Sequence, residues 1–150
     1  MNNARIVFVA ANASYSHTNL ADWYLQAYTA DLGYKWQSLE VIASEDVHSA
    51  LNRLCELQPT VILASFYIFN RNFLLSLLGR YARLAPDCTM IGGGPEFLGD
   101  NRGFLTTNPF MRAVVRGEGE IPLRAMLSCA DPASAWPEIP GVCMFSDSAY

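Results

Sequence analysis

The sequence predicts an α/β fold, a doubly wound, Rossmann-like sheet of five parallel strands in the flavodoxin-like order 2-1-3-4-5 with helices on both faces. Three observations carry this prediction. Short apolar runs rich in β-branched residues recur along the chain, as strands covered on both faces require. Stretches with apolar residues at helical spacing separate them. The later runs lead straight into glycine-rich loops, where strands of such sheets hand over to helices.

Taken in order, Arg5 to Ala11 (RIVFVAA) is the first strand. Leu20, Trp23, Tyr24, Ala27, Tyr28 and Leu32 then recur at helical spacing, and Gly33 supplies the stop. Trp36 to Ala43 reads as strand two. Val47, Ala50, Leu51, Leu54 and Leu57 form the stripe of a second helix capped by Ser44 or Asp46 and ended by Pro59. Thr60 to Tyr67 (TVILASFY) is strand three, followed by a helix that Asn70 can cap and whose buried stripe is Leu74, Leu77, Leu78, Tyr81 and Leu84. Cys88 to Ile91 runs into Gly92-Gly93-Gly94-Pro95, and Ala113 to Arg116 into Gly117-Glu118-Gly119-Glu120. Pro122 is tolerated in the first turn of a last helix through Met126 and Leu127, because the N–H it lacks would have no partner there.

The domain is expected over residues 1–130. Between Asp131 and Pro140 the composition shifts to DPASAWPEIP, so residues 131–150 are expected to be a Pro-rich linker and the start of a further domain that this sequence lacks. Gly141 to Phe145 (GVCMF) reads as one more strand without a partner.

Composition removes several functions. The 150 residues are 51% hydrophobic and 16% charged, enough to bury a core and far from a disordered tail. The net charge is -4 and Lys35 is the only lysine, so no basic stripe exists for nucleic acid. No apolar run reaches the length of a membrane span or a signal-peptide core, and a cytoplasmic location without membrane contact is expected. Cys55, Cys88, Cys129 and Cys143 form no CxxC or CxH pair, which leaves them as small buried hydrophobes rather than metal ligands.

In an open parallel sheet, ligands bind beyond the carboxyl ends of the strands where strand order reverses, here between strands one and three. Four loops lie there: NASYSHTN (12–19), SFYIFN (65–70), GGGPEF (92–97) and RGEGE (116–120). The first offers the hydroxyls and amides of Asn12, Ser14, Tyr15, Ser16, Thr18 and Asn19, although Ser16, Thr18 or Asn19 also serves to cap the next helix. His17 has no carboxylate beside it in sequence and reads as a pocket wall. Gly92, Gly93 and Gly94 allow close backbone approach to a ligand or simply make a tight turn. They are not a dinucleotide fingerprint, because the last glycine position of GxGxxG is Phe97. Glu118 and Glu120 precede a helix, where the macrodipole alone favours acids. Phosphotransfer of the receiver type is excluded, since Ala10, Ala11 and Ser65 stand where acidic residues are needed.

Together, N-A-S-Y-S-H-T-N-L-A, S-F-Y-I-F-N, G-G-G-P-E-F and R-G-E-G-E, each in its place after a strand, resemble the N-terminal cobalamin-binding domain of B12-binding radical SAM proteins. The resemblance covers about residues 4–145, and the GGPE and RGEGE segments are its most specific part. It implies base-off cobalamin over the strand C-terminal ends, and a C-terminal radical SAM barrel of the same polypeptide holding a [4Fe-4S] cluster and SAM. No CxxxCxxC motif occurs, so the cluster and SAM belong to that missing part, and this piece alone is expected to be catalytically silent. Many members of the group are methyltransferases.

By the same resemblance, Ser14, Tyr15, Ser16 and His17 form the loop beneath the corrin. Ser65, with Tyr67 and Asn70 beside it, meets the nucleotide tail, and Gly92, Gly93 and Gly94 leave room for it. Glu96 and Glu118 accept hydrogen bonds from corrin amides or ribose hydroxyls, or else fix their loops. The D-x-H-x-x-G motif that supplies a cobalt ligand in methionine synthase and mutases is not matched over Ala13 to Thr18, so His17 is not expected to ligate cobalt. Two alternatives stand beside this reading: a cofactor-free scaffold domain packed on the same barrel, and an FMN-binding flavodoxin-like domain.

Overall fold

The computed structural model describes residues 3–146 and 149–150. Five strands run parallel, β1 (Arg5–Asn12), β2 (Lys35–Ile42), β3 (Val61–Ser65), β4 (Thr89–Gly93) and β5 (Ala113–Val115), and a sixth, β6 (Val142–Cys143), runs antiparallel against β5. The sheet order is β2-β1-β3-β4-β5-β6. The fold is thus the α/β class expected, with one correction: the sheet has six strands, not five. The run GVCMF does have a partner. Gly141 turns the chain at a φ of 89°, the Arg116 N–H donates to the Gly141 carbonyl at 2.8 Å, and Val142 pairs with Val115. A two-residue strand thereby covers an edge that β5 would otherwise present to solvent.

The helices are α1 (Leu20–Thr29), α2 (Val47–Leu57), α3 (Arg71–Leu84), α4 (Arg102–Thr107), α5 (Glu120–Ser128) and the short α6 (Pro132–Ala135). Side chains alternate across the strands, and this sorts the core into two layers. Val7, Val9, Ile62, Ala64 and Met90 pack under α2, α3 and α4. Ile6, Phe8, Leu63, Ile91 and Val115 face α1 and α5. Between Asp131 and Pro140 the chain stays on the domain: Trp136 is buried and its Nε1 donates to the Met126 carbonyl at 3.0 Å.

Helix α1 departs from simple amphipathicity. Asn19 caps it by accepting from the Ala21 N–H, while its buried positions are Asp22 and Thr29. Asp22 accepts from Trp36 Nε1 at 2.9 Å and from the Ser38 hydroxyl, tying the helix to β2. Leu20, Trp23, Tyr24 and Tyr28, whose spacing identifies the helix, face outward. Apolar period locates this helix, and a buried carboxylate with two donors sets its rotation.

Candidate functional site

At the C-terminal ends of β3, β4 and β5 a cleft of about 380 Å³ opens between the sheet and the pair α1 and α5. The volume falls within the range of small-molecule sites. Strand register builds it in levels. Ser65 pairs with Gly93, and one pleat lower Leu63 pairs with both Phe8 and Ile91. Leu25 of α1, beside Gly119, and Leu123 of α5 wall the cleft, and Tyr67, Glu118 and Glu120 border it from the strand-end loops.

The three glycines do different work. An added Cβ at Gly93 would meet nothing within 4 Å, so its bare backbone keeps the cleft open. At Gly94 φ is 104° and a Cβ would lie 2.6 Å from the Phe66 carbonyl oxygen, which leaves glycine as the residue that fits. Gly92 borders the cleft through its backbone, but its missing side chain makes room for Phe97, whose ring carbon a Cβ would approach at 2.9 Å. Phe97 is buried beside Phe66 and Phe104 in the opposite core layer.

Ser65 is buried except for its opening to the cleft. Its hydroxyl has no hydrogen-bond partner among the described residues, and no buried side-chain polar atom there is left unpaired, so Oγ is exposed at the rim. Asn70 is fully buried and occupied with structure. Its amide donates to the carbonyls of Ala11 and Ser65 at 3.0 Å each, and its Oδ1 accepts from the Tyr67 N–H at 2.8 Å. It thereby locks the end of β3 to the end of β1 and makes no side-chain cap to α3. Glu96 likewise leaves the cleft and pairs with Arg71 at 3.0 Å.

A second hollow of about 310 Å³, bordered by Asn12, Ala13 and residues 17–21, adjoins the first at Ala21 and Tyr67. His17 lines it with Nδ1 held 2.7 Å from Ser14 Oγ, and that oxygen lies 2.9 Å from Ser16 Oγ. Tyr15 is almost wholly exposed, as is Ile68, and the Tyr67 and Phe69 rings stack at 5.5 Å. The ends of the strands are therefore crowned by apolar side chains around two joined hollows.

Of the residues singled out from sequence, Ser65, Tyr67, Gly92, Gly93, Gly94, Glu118 and Glu120 border the main cleft, Asn12, His17, Thr18 and Asn19 border the second hollow, and Ser14, Tyr15 and Ser16 border neither. Sequence reasoning missed Phe8, Leu63 and Ile91, which read as ordinary strand residues, and Leu25 and Leu123, which it did not single out. Their one signal is period two: Leu63 and Ile91 stand two residues before Ser65 and Gly93 and share their face. On β6, in the opposite core layer, burial raises the Cys143 thiol, but hydrogen bonds from Tyr150, Asn101 and Arg116 outweigh it and hold the thiol below its usual range.

The family model of the B12 binding domain matches residues 6–127. The chain belongs to the B12-binding domain family. Solved structures agree at the level of fold. This B12-binding domain is similar to OxsB, a cobalamin-dependent S-adenosylmethionine radical enzyme solved with aqua-cobalamin and S-adenosylmethionine, with a TM-score of 0.78, 15% identity, and 97% of this chain covering 21% of that one. It is also similar to TsrM, a radical S-adenosylmethionine methyltransferase from Kitasatospora setae solved with cobalamin and a [4Fe-4S] cluster, with a TM-score of 0.70, 20% identity, and 93% of this chain covering 27% of that one. The chain thus spans about a quarter or less of the length of these proteins. No curated protein matches the sequence. Among the described residues no helix is long and apolar enough to cross a membrane.

Proposed function

We propose that this B12-binding domain is the cobalamin module of a larger radical SAM enzyme of the methyltransferase type, with the nucleotide tail of base-off cobalamin in the cleft between α1 and α5. The observation that carries the reading is the open cleft itself: an unpaired Ser65 hydroxyl and a bare Gly93 at the rim, above an apolar floor at the strand ends. When bound, cobalamin supplies the cobalt chemistry, and the domain supplies position.

The residues divide that task. Ser65 offers a donor to the tail, Gly93 leaves the passage clear, and Glu118 and Glu120 accept hydrogen bonds from ribose hydroxyls or corrin amides. Asn70 and the Arg71–Glu96 pair hold the loops that carry these groups. Ser14, Tyr15, Ser16 and His17 form the upper loop under the corrin edge. We infer a domain over residues 1–130, to which the segment 131–150 adds the edge strand β6, and a following radical SAM domain that holds the [4Fe-4S] cluster and SAM, in the cytoplasm. The low coverage of OxsB and TsrM supports a longer polypeptide.

A cofactor-free scaffold would be expected to fill the cleft with its own side chains. Phe97 lies on the other face of the sheet and Tyr67 stands at the mouth, which favours the cofactor reading. Saturable binding of hydroxocobalamin, lost in Gly93→Trp, is the test.

A further inference from the structure

The cleft has a polar rim and an apolar end, and the sheet register fixes their separation. Ser65 and Gly93 form the rim. Phe8, Leu63 and Ile91 lie two residues lower, a drop of about 7 Å along a strand. Leu123 closes one side about one turn below the start of α5, and Leu25 of α1 lines the wall beside Gly119.

Every side-chain polar group bordering the cleft belongs to the upper level: Ser65, Tyr67, Glu118 and Glu120. The backbone groups of the floor are consumed by the ladders joining β1, β3 and β4. A ligand group reaching the floor finds neither donor nor acceptor.

Resting on the reading that the cobamide tail enters this cleft, we propose that the floor of Phe8, Leu63 and Ile91, between the walls of Leu25 and Leu123, selects the lower base of the cobamide by polarity. It takes dimethylbenzimidazole, whose one free ring nitrogen is its single polar group, in preference to a purine. The ring nitrogens and exocyclic amine of adenine would leave water for a surface that offers no partner, and each such group costs enough to weaken binding about tenfold or more. The ribose and phosphate, common to both tails, remain at the rim and contribute no discrimination.

The experiment measures anaerobic equilibrium binding of three probes to the purified chain: cobalamin, the adenine-bearing cobamide, and cobinamide, which has neither base nor ribose. All are reduced to the cobalt(I) state, in which no lower base is coordinated, so the comparison reports the tail alone. The expected result is cobalamin tighter than the adenine cobamide by at least about tenfold. Leu25→Gln, at a half-buried helix position, narrows that gap by giving the purine a partner. Equal affinities for the two complete cobamides, both tighter than cobinamide, overturn the selectivity and leave the cofactor reading standing. Equal affinities for all three, or binding by none, overturn the inference, and binding by none overturns the cofactor reading with it.

Discussion

Ser65 and Gly93 stand opposite each other across the β3–β4 ladder, and on their shared face an added Cβ at Gly93 would meet nothing within 4 Å, whereas one at Gly94 would lie 2.9 Å from Ser65 Oγ. The neighbouring Gly94 has the reverse character: a left-handed backbone pressed against the Phe66 peptide. One glycine serves the cleft and the next serves the turn.

The two positions therefore separate by substitution. Gly93→Trp should leave the urea midpoint nearly unchanged and weaken cobalamin binding by at least about tenfold, because the indole fills the cleft without meeting backbone. Gly94→Ala should destabilise the fold by about 1–3 kcal/mol through its φ of 104° and the Phe66 contact, as read by urea unfolding.

Asn70 joins three backbone groups in a fully buried place. Asn70→Ala leaves two carbonyls and one N–H without that partner, and a loss of about 2–4 kcal/mol is expected. Hydrogen exchange should rise first in the loop 65–70, where the Tyr67 N–H loses its acceptor.

Alkali should weaken the domain. Burial pushes Cys88 up to about 11 from 9.0, and burial, with Cys88 and Cys55 nearby, pushes Tyr81 up to about 12 from 10.0. Both fold in the neutral form, so their contribution is complete below the unfolded values and disappears as pH rises through the folded ones. The urea midpoint should fall between about pH 9 and 12, and Tyr81→Phe should flatten the part above pH 10.

His17 is held through Nδ1 by the neutral hydroxyl of Ser14 and faces the second hollow rather than the main cleft. His17→Gln is expected to leave the visible spectrum of bound cobalamin unchanged and its affinity within about threefold. A shift of the absorption bands would assign His17 to the cobalt.

Much of this was legible in the residues. Continuous apolar runs with β-branched content declared the parallel strands, because strands covered on both faces have no polar side to show. The loops bordering the cleft were legible from their glycines and hydroxyls. The cleft's floor was not, since Phe8, Leu63 and Ile91 are chemically the same as any core residues and only strand register sets them beneath Ser65 and Gly93. Strand β6 was read, but its partner was not, because the pairing depends on a turn at Gly141 that brings distant sequence to β5. Asn70 read as a helix cap, yet its side chain answers to carbonyls 59 and 5 residues away.

The central claim is tested most directly by titrating the purified chain with hydroxocobalamin, following the visible spectrum alongside equilibrium dialysis up to about millimolar cofactor. Saturable, one-to-one binding with a base-off spectrum, abolished by Gly93→Trp, is the expected result. Absence of saturation, or binding of the same strength in Gly93→Trp, would contradict it.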